Sequence, residues 1–137
     1  NILSRLPVYA AALWWGSLTT IGFLVVPLLF MHLPTPALAG GMAAKLFTAQ
    51  TWVSVTCGGI LLLISTSKQA SAPAQRAHDA IVFILLGMLL ALLVEFAVAP
   101  RIVTRTNLKL WHSVGSVMYL VQWLCAAIVF WRITPKH

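Results

Sequence analysis

Glu95 is the residue best placed to do chemistry in this sequence, because it is an acid embedded in the apolar run Ala80 to Ala99. The chain has two acidic residues in all, and the other, Asp79, stands at the opposite end of the same run. On a helix Glu95 falls about 22 Å from the start of that run and roughly 8 Å below the membrane surface it approaches. An ionisable group at that depth is costly and demands a partner. Two readings follow: the carboxylate binds a proton, a cation or a polar ligand, or it pairs with Arg101 or Lys45 on the same side and sets helix packing. The second candidate is His112, which shares a helical spacing with Ser116, Tyr119 and Trp123, with Gln122 at the edge. This polar stripe could hydrogen-bond Ser17, Thr20, Gln50, Thr51 and Ser54 of other helices, or line a small cavity with Glu95. The ligand-binding set expected from sequence is therefore Glu95, His112, Ser116 and Tyr119.

Other chemistry has less to stand on. His112 by itself reads as an interfacial structural histidine, a ligand or proton group, or a metal or haem ligand. Haem would need a second axial ligand at matching depth, and His32 is the other histidine on that side. Glu95, His32 and His112 could hold a divalent metal, but they come from different helices with no spacing rule. No cofactor is thereby specified. The two acids lie about 24 Å apart along one helix, too far for paired acid and base work. No nucleophile elbow, phosphate loop or His-Glu-x-x-His motif occurs, so the expectation is a protein that is not an enzyme.

The elements that must position these residues follow from composition. Of 137 residues, 61% are hydrophobic and 8% charged, with a mean hydropathy of +0.95. Soluble domains run at about 45–50% apolar and 25% charged. A chain of this size could not hide so much apolar surface in water, and disorder, collagen repeats and disulfide scaffolds all need charge, periodic glycine or dense cysteine. An integral membrane protein remains. The net charge of +7 would suggest nucleic acid in a soluble protein, but the cations sit between apolar runs, where they meet lipid headgroups and set topology. Membrane lipids are the expected partners, with self-association or a larger membrane complex beside them, and nucleic acid is not. Cys57 and Cys125 lie inside apolar runs and read as small buried hydrophobes.

Four spans are expected, at about 6–33, 36–64, 80–99 and 109–131, in one all-α transmembrane domain, a four-helix bundle. The first is too long for the core of a secretory signal and should stay in the membrane, kinked near Pro27. Thr35 followed by Pro36 reads as an N-cap with proline at the first helical position. The stretch 65–79 is a polar linker, Asp79 is expected to cap the third span, and Pro100 to close it. Trp111 and Trp131 bracket the fourth span about 30 Å apart, as interfacial anchors would. The stretch from Ile84 to Leu93 lacks polar side chains and should present one face to lipid. Trp14 and Trp15, near mid-membrane, read as packing or as the wall of a pocket for a lipid-like ligand.

Four spans put both termini and the 65–79 linker on one side. That side carries Arg5, Lys68, Arg76, Arg132 and Lys136, against Lys45, Arg101, Arg105 and Lys109 on the other. Counting Lys45 as helix rather than loop sharpens the bias and predicts cytoplasmic termini.

The motifs Leu13-Trp-Trp-Gly16, Val26-Pro-Leu-Leu-Phe30, Leu33-Pro34, Ala39-Gly40, Leu46-Phe47, Pro100-Arg-Ile102 and Trp111-His112 with Ser113 and Ser116 resemble the bacterial relatives of transmembrane protein 205. The likeness runs over nearly the whole chain in motif order. It implies a small four-span protein of the bacterial inner membrane and supplies no activity. The opening Leu13-Trp-Trp-Gly16 alone also resembles the membrane domain of copper-resistance proteins, without the Met-rich or His-rich run that copper handling would use.

Overall fold

A computed structural model describes residues 2–68, 71–105 and 107–136. Four long helices dominate: α1 (Ile2–His32), α2 (Pro36–Ser65), α4 (Ile81–Val103) and α5 (Leu108–Ile133), with a short α3 (Ala72–Asp79) between the second and third. No strand occurs among the described residues. The shortest span has 23 residues, or about 35 Å of helix, enough to cross a hydrocarbon core of about 30 Å. The protein is an integral membrane four-helix bundle.

The exterior is what lipid requires. Val82, Leu85, Leu86, Leu89, Leu92, Leu93 and Phe96 are exposed along α4, as expected from its unbroken apolar sequence. The buried side chains include Gln50, Thr51, Ser54 and Gln122. Without a hydrophobic force between helices in lipid, small residues and interhelical hydrogen bonds must hold the spans together. Around the bundle the spans neighbour one another in the order α1, α2, α4, α5, closing back on α1.

Packing is tightest in the half that holds the chain ends. Trp14, Leu18, Leu61, Ile84, Val129 and Ile133 are fully buried there, filled in by Ala11, Ala77, Ala80 and Ala126. A side chain at Gly87 would meet the Trp14 ring at 2.7 Å, so glycine is what lets α4 close over the indole. Trp15 is half-buried, packed against that core and the rings of Trp123 and Phe130, and it lines an open apolar groove with Phe130 and Trp131. Toward the other end α1 buries nothing from Val26 to His32, while Ala39, Ala43 and Val98 stay buried.

Several local expectations meet their reason here. Thr35 caps α2, its Oγ1 accepting from the Leu38 amide at 3.2 Å. The stretch 65–79 is no plain linker: Ser71 caps α3 by accepting from the Ala74 amide at 3.2 Å. Asp79 ends α3 rather than capping α4; its carboxylate accepts from Gln75 Nε2 at 2.9 Å, and Ala80 takes the cap position. Arg76 donates from Nε to the Ile133 carbonyl at 2.8 Å, closing the C-terminus of α5 with a cation, where the helix dipole favours one.

Pro100 does not end α4. The helix widens into a π turn at Val94–Val98, closed by the Ala99 amide on the Val94 carbonyl, and continues to Val103. α1 does the same at Ile21–Val25, where the Val26 amide reaches the Ile21 carbonyl ahead of Pro27. A proline ring clashes with the carbonyl four residues back and offers no amide; the wider turn makes room and lets the helix run on.

Candidate functional site

Glu95 lies in the second π turn, half-buried, and faces α2. The Thr48 hydroxyl is 2.9 Å from Glu95 Oε1 and 3.1 Å from the Ala44 carbonyl of its own helix. One hydroxyl proton serves one of these at a time. With Glu95 ionised, Thr48 donates to the carboxylate; with Glu95 protonated, the acid can donate to Thr48 while Thr48 donates to Ala44. The hydrogen bond between Thr48 and Glu95 is therefore kept in both protonation states.

The cations expected to neutralise Glu95 are elsewhere. Arg101 donates from Nη1 to the Ala97 carbonyl at 2.6 Å and lies over the Trp111 ring, 4.6 Å from its centroid. Arg101 and Lys45 are both exposed, and among the described residues Glu95 forms no ion pair. Backbone and indole hold the guanidinium because Arg101 stands six residues beyond Glu95, across the widened turn and not directly over the acid.

The stripe on α5 divides. His112 and Ser116 are exposed, and Ser116 donates to the His112 carbonyl of its own helix, at 2.8 Å. They do not join Glu95. The inward face of α5 is one residue away, running through Gly115, Tyr119, Gln122, Ala126, Val129 and Ile133. One residue is about 100° of helical rotation, enough to turn a side chain from core to lipid. His32 is exposed at the end of α1, and among the described residues no three His, Cys, Asp or Glu side chains converge as a metal set.

Tyr119 does point inward, into α1. Its hydroxyl donates to the Leu18 carbonyl at 2.6 Å, and the Gly22 amide lies within bonding reach of the same oxygen. The phenol thus joins α5 to the backbone of α1 just where the first π turn opens. A Cβ at Gly22 would strike the Tyr119 ring, so the insertion needs glycine there. Next to it, Trp123 donates from Nε1 to Thr19 Oγ1 at 2.8 Å.

Between the packed half and Glu95 lies a buried polar layer. Gln50 donates from Nε2 to Ser17 Oγ at 3.0 Å and to Ser54 Oγ at 3.3 Å, and Ser54 donates to Gln122 Oε1 at 2.9 Å. Three spans are joined in this way. Gln50 Oε1 is buried without a partner among the described residues, and an unmet buried acceptor costs about 1–3 kcal/mol. Of the residues expected to meet the α5 stripe, Ser54 does so, through Gln122 and not His112, while Ser17 bonds Gln50 and Thr51 bonds its own helix; the inward place of Gln122 was signalled by its helical spacing to Ala126, Val129 and Ile133.

Residues 9–110 match the family described as a domain of unknown function, DUF4149. The match takes in Thr48, Gln50 and Glu95 and ends before Tyr119 and Gln122. No curated protein and no solved structure matches the chain.

Proposed function

The chain belongs to the DUF4149 family of domains of unknown function, and from the geometry of its spans we propose that it is a non-enzymatic membrane protein that takes up and releases a proton at Glu95. The observation that carries this reading is a span carboxylate held by a hydroxyl able to serve it ionised or protonated. An intramembrane acid is expensive, and pairing with a cation is the usual structural reason to keep one. Here the two candidate cations are engaged or exposed elsewhere. Glu95 and Thr48 offer too few oxygens for a hard metal cation, which takes six or more, whereas a proton needs one. The motif resemblance to the bacterial relatives of transmembrane protein 205 supports a small four-span protein of the bacterial inner membrane. The distribution of cations supports cytoplasmic termini.

The test uses the full chain in proteoliposomes containing a pH-sensitive dye, with a potassium diffusion potential to drive proton entry. Uptake above that of protein-free vesicles, lost in Glu95→Gln, is the expected result. An infrared carboxylic-acid band that grows on acidification and vanishes in Glu95→Gln would accompany it. Uptake unchanged by Glu95→Gln overturns the reading. A stoichiometric protein partner recovered in mild detergent, with no proton uptake, would instead make the chain an accessory subunit.

A further inference from the structure

We infer that the buried polar layer holds one resident water molecule, seated among α2, α4 and α5 and donating a hydrogen bond to Gln50. Gln50, Thr51 and Gln122 line a cavity of about 10 Å³, together with Ala91, Val94 and the Tyr119 ring. That volume is about one water-sized sphere, and a water is stable in such a space when it has two to four polar partners. Gln50 is 2% exposed and Gln122 3%, so bulk solvent serves neither.

The bonding inventory points to a donor as the occupant. Both amide protons of Gln50 are taken, by Ser17 and Ser54, while Oε1 has no partner among the described residues. Turning the amide over exchanges an orphan acceptor for orphan donors, so no assignment of the amide closes the account. The Ser54 proton is taken by Gln122, and Thr51 donates to the Phe47 carbonyl at 3.0 Å. A water supplies what is missing, giving protons and accepting in return. Such a molecule ties Gln50 of α2 to the Gln122 side of α5 beneath Ala91 of α4. The inference is independent of any role for Glu95.

Solid-state NMR on the full chain in lipid, with glutamine side chains labelled, tests it by transferring magnetisation from water. The Gln50 amide should show a strong water contact that persists when sodium chloride is replaced by choline chloride. Ala91→Val fills the cavity and should abolish that contact and lower the melting temperature by about 3 °C or more, because Gln50 is stranded. In a dry cavity the same substitution improves packing and raises the melting temperature. No water contact at Gln50 in the native protein, a rise in melting temperature with Ala91→Val, or a contact that disappears with sodium would each overturn the inference. Glu95→Gln should leave the contact in place, which separates this site from the proposed proton site.

Discussion

The π turns at Ile21–Val25 and Val94–Val98 are built alike, each closed by an amide five residues on and each followed by a proline two residues beyond its end. They differ in what reaches them. The first receives the Tyr119 hydroxyl, which takes up the Leu18 carbonyl and meets the Gly22 amide, with the ring pressed against glycine. The second carries Glu95, reached from α2 by Thr48 alone among the described residues. The same irregularity is a joint in one place and an ionisable site in the other. A widened turn leaves backbone groups and space unassigned, and the neighbouring side chain decides their use.

The contrast is broken most severely at the joint. Gly22→Val drives a branched side chain into the Tyr119 ring and expels the hydroxyl, with an expected loss of about 3 kcal/mol or more. Thermal unfolding in detergent, read with a thiol-reactive dye, would measure it, since Cys57 and Cys125 are both buried until the bundle opens. Tyr119→Phe keeps the ring and removes the hydroxyl that joins α5 to the backbone of α1, for about 1 kcal/mol by the same assay. If this variant unfolds like the native protein, the Tyr119 insertion contributes no stability and the two turns are not the opposites described.

At the second turn the effects on stability shrink while those on function grow. Thr48→Val removes a hydroxyl at nearly constant shape and should cost about 1 kcal/mol while slowing proton uptake. Glu95→Gln retains a group that can hydrogen-bond Thr48 and should shift stability by no more than about 0.5 kcal/mol while abolishing uptake. A large loss of stability in Glu95→Gln, measured by the same dye, would make Glu95 a structural residue like Tyr119 and erase the difference between the turns.

The polar layer lies between these two regimes. It is satisfied within the protein except at Gln50, and it separates the half packed on Trp14 and Leu18 from the half where α1 and α5 end exposed. His112 and Ser116 face outward from α5, which is why their polarity leads to no shared site.

Much of the architecture was written in the order of residues. Long apolar runs separated by short polar stretches determine four spans, because transfer of a segment into lipid depends on its own composition and length. Thr35 with Pro36 determines where α2 starts, since a cap bond is made within one turn. The lone acid of α4 marks itself by its cost. Tertiary structure alone decided the rest. Whether Asp79 caps α4 or ends α3, and whether Pro100 stops a helix or is absorbed by a π turn, depends on what packs against those turns. The facing of α5 turns on about 100° per residue, so the difference between His112 and Gln122 as the inward polar group lies in the contacts with α1 and α2. Interhelical partners such as Tyr119 with Leu18, Thr48 with Glu95 and Gln50 with Ser17 stand 33 to 101 residues apart. Hydropathy orders segments against lipid and carries no azimuth, and only the packed bundle supplies one.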